Sequence, residues 1–297
     1  MQKVLVIVGP TAVGKSAFGI KMSQMFNGEI ISGDSVQIYK GLDIGSAKVD
    51  QDEQKIVKHH LIDIKEPTER YSVKEFQTLA RELIENISED HKLPIIVGGT
   101  GLYIKATLYD YEFNDENESD NPYDELTNEQ IYEMLKTLDS MALQTIHINN
   151  RKRLVRALNL AQKNDLNKSA MIASQEHKML YDALIIGLTM PRDELYKRID
   201  SRVDKMIENG LLNEIENLLK QGVSFDDQAM QAIGYKELKE YFNQEADLET
   251  CANLIKRNSR RFAKRQYTWF NHQTPIMWFD INDLDLATKE IAKWIKN

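Results

Sequence analysis

A single cysteine, Cys251, stands in a chain of 297 residues, which excludes an internal disulfide framework and a cysteine-built zinc site. No histidine lies near it in sequence to make it a nucleophile, so a buried thiol is the expectation. Long apolar runs are missing as well: none approaches the ~18 residues that a membrane-crossing helix requires. The opening residues carry no basic n-region and no small-residue cleavage site ahead of the first apolar run. These absences predict a soluble, cytoplasmic protein with no membrane partner. Positive charge is in deficit, with 38 Lys and Arg against 46 Asp and Glu for a formal net charge of −8. That balance argues against indiscriminate binding of nucleic acid, yet permits a local basic groove. Internal repeats and low-complexity tracts are not evident either.

What is present begins at once. The apolar run Val4 to Val8 leads into Gly9, Pro10, Thr11, Ala12, Val13, Gly14, Lys15 and Ser16, a complete GxxxxGK[ST] phosphate loop, and a helical pattern opens at Ala17. Between a strand and a helix, such a loop turns successive backbone N–H groups inward and adds the positive end of the helix dipole. Lys15 supplies a point charge and Ser16 a hydroxyl for Mg²⁺. The chain is therefore expected to hold a di- or triphosphate, with Mg²⁺ as cofactor.

Short β-branched runs alternate with helical patterns. Lys3–Val8, Glu29–Ser32, Leu61–Ile64, Pro94–Val97, Leu184–Leu188 and Ile276–Phe279 read as strands, and the alternation implies a parallel sheet. Ser72 and Glu75 form a capping-box pattern ahead of the helical spacing Phe76, Leu79, Leu83, Ile84, Ile87. Residues 110–182 are far too many for an ordinary loop of about 2 to 6 residues. This stretch opens with the acidic Asn114 to Asn121 segment. It then shows helical periodicity through Ile131, Met134, Leu135 and Leu138, and again through Leu154, Val155, Leu158 and Leu160. A small helical insertion is expected there, inside a core of residues 1–109 and 183–297. Pro191 opens a long helix that Gly210 ends, Leu211–Lys220 forms another, and Cys251–Phe270 reads as a basic helix. The expected fold is thus α/β, a P-loop NTPase-like parallel sheet with an inserted helical domain.

An ordinary phosphate-loop NTPase carries an aspartate at the end of a second apolar strand to orient Mg²⁺. Here Pro94–Val97 runs into Gly98, Gly99, Thr100 and Gly101, and the acid is missing. The glycine pair permits close backbone approach, and Thr100 offers either a hydroxyl to a bound group or a helix cap. Asp34, at the end of the second strand, is the best general base on offer; a turn cap is the competing role. Arg198 and Arg202, four apart on one helix face, can converge on an anion, while Glu194 at i,i+4 can instead pair with Arg198 on a solvated face.

The segments GPTAVGKS, Gly33–Lys48 (GDSVQIYKGLDIGSAK), His59–Ile64 and Gly98–Ala106 resemble, in order and spacing, those of the tRNA dimethylallyltransferases. The resemblance continues through Leu195–Met206, Gln231–Glu237 and Arg260–Phe270, and so covers essentially the whole chain. It implies transfer of a five-carbon prenyl group from dimethylallyl diphosphate to N6 of adenosine 37 in the tRNA anticodon stem-loop. Asp34 and Thr100 would face the reacting base, and Arg198 and Arg202 the diphosphate. Asp34, Ser35, Val36, Gln37 and Thr100 would meet the flipped nucleotide, although Gln37 is equally an exposed turn residue. A diphosphate leaving group also accounts for the missing NTPase acid, since no phosphoryl transfer occurs.

Contacts to tRNA phosphates are expected from Arg151, Lys152, Arg153 and Arg156 in the insertion, which sits where the family carries its tRNA-gripping domain. Lys256, Arg257, Arg260, Arg261, Lys264 and Arg265 supply the second basic group. Phe262, Tyr267, Trp269 and Phe270 either stack on bases or pack in the core, and the charge runs are alternatively solvated faces. One departure appears in the insertion: many relatives carry an aspartate where Asn150 stands in the run His147–Arg151. His59 and His60 are expected to be packed or hydrogen-bonded rather than metal ligands, and the protein is expected to be monomeric. The rival readings are a nucleotide or small-molecule kinase, an RNA-binding module with a nucleotide-sensing loop, and a prenyltransferase acting on free adenine nucleotides.

Overall fold

The computed structural model describes residues 1–111, 113, 123–162 and 178–297; the expected acidic segment Asn114 to Asn121 lies outside the described residues. Lys3–Val8 (β1), Gly28–Ser32 (β2), His59–His60 (β3), Leu93–Val97 (β4), Asp182–Thr189 (β5) and Met277–Asp280 (β6) form one sheet in the order β3-β2-β4-β1-β5-β6. Every neighbouring pair is parallel. Parallel strands need both faces covered, which explains why β1 is a continuous apolar run rather than an alternating one. Val4, Val6 and Val8 enter one buried cluster with Phe76, Ala80 and Ile84 of the helix Val73–Glu89. Leu5 and Ile7 enter the other, with Phe18 and Met22 of the helix Lys15–Met25 and Ile291 of the helix Leu284–Lys296.

The third strand differs from its expected position. Leu61 and Asp63 have φ of 59° and 54°, left-handed values that interrupt an extended backbone. Strand pairing therefore ends at His60, and the segment bends back so that Ile64 N–H donates to Ile38 O at 2.8 Å. The capping box at Ser72 and Glu75 forms, with both of its hydrogen bonds present.

The chain divides into two compact units, Met1–Asp110 with Met179–Asn297, and Tyr111–Lys178. In the first, Tyr109 and Met179 pair as a bridge and Leu180 N–H donates to Leu108 O at 2.8 Å, so the chain leaves and re-enters at adjacent points. Residues 179–182, counted with the insertion in the sequence reading, pack with the core for this reason. The second unit packs the helices Asn128–Leu138 and Arg151–Gln162 around Tyr123, Ile131, Leu135, Leu154, Leu158 and Ala161. Among the described residues no helix is long and apolar enough to cross a membrane.

Glu29, in β2, is a buried charge with three partners. Lys92 Nζ and His60 Nε2 each lie 2.6 Å from its carboxylate and Lys58 Nζ lies 3.3 Å away. Burial pushes its pKa up, but the hydrogen bonds from Lys92, His60 and Lys58 outweigh this and hold it at about 2. A carboxyl depressed in the folded state contributes stability above its unfolded pKa, and that contribution is lost as pH falls toward the folded value. Glu29→Gln should therefore lower stability at pH 7 by about 3 kcal/mol, with the difference from wild type shrinking between about pH 5 and pH 2. Urea unfolding at several pH values measures this; a difference independent of pH in that window would refute it.

Candidate active site

The strand order decides which loops meet. β2, β4 and β1 are neighbours, so the segments leaving their carboxyl ends, 33–37, 98–100 and 9–16, lie side by side where open α/β sheets bind ligands. Asp34 leaves a strand one removed from the one that carries the phosphate loop, yet its charge is felt by both Lys15 and Arg202. The glycine-rich turn after β4 stands between the two segments, and neighbouring strands are about 4.8 Å apart.

Gly14, with φ of 103°, occupies the N-cap of the helix that follows β1, a left-handed conformation that glycine adopts without strain, and the first N–H groups of a helix have no partner within it. This helix starts at Lys15, two residues before the expected Ala17, because the cap falls on Gly14. Lys15 Nζ donates to Pro10 O at 2.8 Å. Burial, together with the nearby Arg202 charge, lowers the Lys15 pKa to about 8 despite the opposing pull of Asp34. Lys15, Ser16, Lys48, Arg202 and Lys205 line a cavity of about 800 Å³.

The two arginines of the helix Arg192–Glu208 have different surroundings. Arg202 turns inward: Nη1 donates to Thr11 Oγ1 at 3.1 Å and Nη2 to Ser46 O at 3.5 Å. Burial lowers its pKa and the Asp34 charge opposes that shift. Arg198 is exposed and borders, with Lys197, Ser201, Lys205 and Arg202 itself, a second cleft of about 480 Å³. Among the described residues no ion pair joins it to Glu194. The two side chains share a face, but only Arg202 reaches the phosphate loop.

The turn after β4 is joined to that after β2 by backbone contacts. Gly33 N–H donates to Val97 O at 2.8 Å and Thr100 N–H to Gly33 O at 3.3 Å. A Cβ at Gly98 would collide with the Gly33 backbone, which is the close approach that the glycine pair permits. Thr100 stands at the N-cap of the helix Gly101–Leu108 without a side-chain capping bond. Its hydroxyl lies 3.5 Å from Ser35 Oγ. Asp34 Oδ1 accepts from Val36 N–H at 2.8 Å and Gln37 N–H at 3.4 Å. One carboxylate oxygen thus holds the turn, so the capping role is real, and the second oxygen remains for chemistry. The Gln37 amide links Ser32 Oγ, at 3.1 Å, to Ala47 O, at 3.2 Å; in this arrangement it braces its own loop.

Two positioning contacts were not legible in the sequence. Glu214, from the helix Leu211–Lys220, accepts from the backbone N–H of Asp43, Ile44 and Gly45 at 3.0, 2.7 and 3.2 Å and from Tyr235 OH at 2.7 Å. It thereby anchors the loop whose Ser46 carbonyl meets Arg202. Gln266, from the helix Leu248–Gln273, is buried and contacts both Thr11 and Gly99. A polar residue in the buried stripe of Ala263 and Phe270 was the available signal.

The basic candidates also divide. Arg260 pairs with Asp200, and Lys256 with Asp204 at 2.5 Å, whereas Arg257, Arg261, Lys264 and Arg265 are exposed. Phe270 is core, Tyr267 OH bonds Thr189 Oγ1 at 2.7 Å, Trp269 packs on Gly101 and Phe262 is half-buried beneath Arg265. In the insertion, Arg151 donates to Leu126 O at 2.7 Å and Tyr123 O at 2.6 Å, holding that unit together. Lys152, Arg153 and Arg156 are exposed. Asn150 Oδ1 accepts from Arg153 N–H at 3.4 Å, so the residue in place of the relatives' aspartate retains a capping contact. His59 Nδ1 lies 2.8 Å from Val57 O, and Cys251 is buried. Among the described residues no group of three or more His, Cys, Asp or Glu is arranged to hold a metal ion.

Residues 37–273 match the family model described as IPP transferase. The tRNA dimethylallyltransferase of Anoxybacillus flavithermus is 49% identical, over 99% of this chain and 96% of that protein. The chain belongs to the tRNA dimethylallyltransferase family. Solved structures of the family agree. The full-length tRNA isopentenylpyrophosphate transferase of Bacillus halodurans superposes with a TM-score of 0.76 at 39% identity, over 100% of this chain and 97% of that one. A eukaryotic dimethylallyltransferase acting on tRNA superposes with a TM-score of 0.83 at 30% identity, over 96% of this chain and 75% of that one. The family model begins at residue 37, so it does not include the phosphate loop or Asp34; the full-length tRNA dimethylallyltransferase relatives do span them.

Proposed function

We propose that this chain transfers the dimethylallyl group of dimethylallyl diphosphate to N6 of adenosine 37 in tRNA and releases diphosphate. The observation that carries this reading is the row of loops after β1, β4 and β2, with anion-holding groups at one end, Asp34 at the other and glycines between them. In the transfer, the bond from N6 to the allylic C1 forms as the C1–O bond to diphosphate breaks. The proton lost from N6 passes to Asp34. An exocyclic amine is a weak nucleophile until that proton has an acceptor, so a carboxylate at this place serves as general base. The leaving diphosphate gathers negative charge, which the phosphate-loop N–H groups, Lys15 and Arg202 stabilise. Thr100 and Ser35, with hydroxyls 3.5 Å apart, border the acceptor base.

The chain's residues fit Mg²⁺ of the kind that arrives with its substrate. Ser16 lines the cavity beside Lys15, and Mg²⁺ is commonly held by one or two protein oxygens together with phosphate oxygens and water. When bound, the ion supplies charge neutralisation on the diphosphate. Adenosine 37 is stacked within the anticodon arm, so reaching this site requires the base to be flipped, at a cost of a few kcal/mol. Lys152, Arg153, Arg156, Arg261, Lys264 and Arg265 are the candidate phosphate contacts, and Arg151 and Arg260 act through packing. RNA affinity should accordingly fall steeply with salt; a log–log slope shallower than about −1 would overturn this basic surface.

The test of the reaction is incubation of purified protein with unmodified anticodon stem-loop RNA, dimethylallyl diphosphate and Mg²⁺, followed by nucleoside mass analysis. Prenylated adenosine at position 37 supports the reading. Absence of product together with ATP consumption on a small-molecule acceptor overturns it in favour of a kinase.

A further inference from the structure

The Gln266 side chain bridges the loop after β1 and the loop after β4. Its Oε1 accepts from Thr11 N–H at 2.9 Å, and its Nε2 donates to Gly99 O at 3.0 Å. At 6% exposure it has little solvent to replace either bond, and an unmade hydrogen bond in such a place is costly. The fit is reciprocal: a Cβ at Gly99 would occupy the position of the Gln266 amide nitrogen. Thr11 in turn receives Arg202 through its hydroxyl at 3.1 Å, and Thr100 follows Gly99 directly. A chain of contacts therefore runs from Arg202 through Thr11 and Gln266 to the residue before Thr100.

The amide is the group suited to this place. It must accept from a backbone N–H with one atom and donate to a backbone carbonyl with the other, which no carboxylate does in its charged form and no aliphatic side chain does at all. The Leu248–Gln273 helix that carries it also buries Ala263 and Phe270 in the core, so the side chain is held from outside both loops and sets their separation.

We propose that Gln266 is a positioning residue that fixes the distance between the diphosphate-holding loop and the loop bearing Thr100, across which the prenyl group is transferred. This rests on the proposed reaction. Both polar atoms of Gln266 are taken up by backbone partners, so its removal should misalign two otherwise intact half-sites. Misplacement of about 1 Å is enough to slow a reaction about a hundred-fold.

The experiment compares wild type with Gln266→Ala and the near-isosteric Gln266→Glu, which retains the acceptor for Thr11 but loses the donor to Gly99. Steady-state kinetics should show kcat reduced by roughly ten- to hundred-fold in both, with KM for dimethylallyl diphosphate and for RNA within about three-fold of wild type. Hydrogen exchange followed by mass spectrometry on the full chains should show faster exchange in residues 9–16 and 98–101 together in the alanine variant, with the exchange of β1 and β4 unchanged. A kcat within about three-fold of wild type in a folded variant overturns the proposal, as does faster exchange in one loop alone in the alanine variant. If the alanine variant does not fold, the glutamate variant decides by the same kinetic criterion and by faster exchange of residues 98–101. If wild type forms no prenylated product, the reaction assignment fails, and the exchange result alone judges whether Gln266 couples the loops.

Discussion

Asp34→Asn is expected to lower kcat for prenyl transfer by about two to four orders of magnitude, the usual contribution of a general base, while leaving the thermal unfolding midpoint within a degree or two of wild type. The choice of asparagine separates the two roles that the structure gives this residue. Its carbonyl oxygen can still accept from the N–H groups of Val36 and Gln37, which Asp34 Oδ1 holds at 2.8 and 3.4 Å, so the turn should survive. What disappears is the basicity of the second oxygen. Asp34→Ala removes both and should additionally loosen residues 34–37. Single-turnover kinetics with saturating RNA and dimethylallyl diphosphate measure the chemical step directly. Activity of the asparagine variant within about five-fold of wild type would leave Asp34 as a turn residue and require another proton acceptor.

Arg202→Ala should reduce kcat/KM for dimethylallyl diphosphate by about 10² to 10³, the range seen when a preorganised donor to a developing anion is removed, with RNA affinity nearly unchanged. Arg202 is half-buried against Thr11 and Ser46, and its charge helps depress the Lys15 pKa to about 8. Such crowding of cations is costly in the empty site and is relieved by an anion, which stabilises every member of the group at once. Arg202→Lys should restore little, because a compact ammonium cannot span two acceptors as a planar guanidinium does. Exposed Arg198, by contrast, should tolerate alanine with a smaller loss. Titration with inorganic diphosphate and with stem-loop RNA separates the two affinities. Loss of RNA binding alone in Arg202→Ala would refute its placement on the diphosphate.

Much of this arrangement was legible because it is local. Gly9–Ser16, the β-branched run before it, the Ser72–Glu75 box and the periodicity of the insertion's helices all depend on residues within a turn or two of one another, where backbone geometry and apolar spacing act directly. The family resemblance named the proposed reaction and directed attention to Asp34, Thr100 and Arg202. The third strand was misjudged because an apolar run, Leu61–Ile64, says nothing of the left-handed backbone at Leu61 and Asp63. Long-range pairing carries no local signal either. Nothing in their spacing tells that Arg260 meets Asp200, that Arg151 holds the carbonyls of Tyr123 and Leu126, or that Glu214 reaches three N–H groups about 170 residues earlier in the chain. Such contacts arise only when the chain has closed on itself, and the same Arg or Glu would otherwise lie in solvent. By itself, then, the sequence determined an α/β core with a helical insertion, its family and the identity of its candidate groups. The tertiary structure alone decided their arrangement: the strand order β2-β4-β1 set the glycine turn between residues 9–16 and the Asp34 turn, one of two arginines turned inward, and a buried amide joined two loops that lie far apart along the chain.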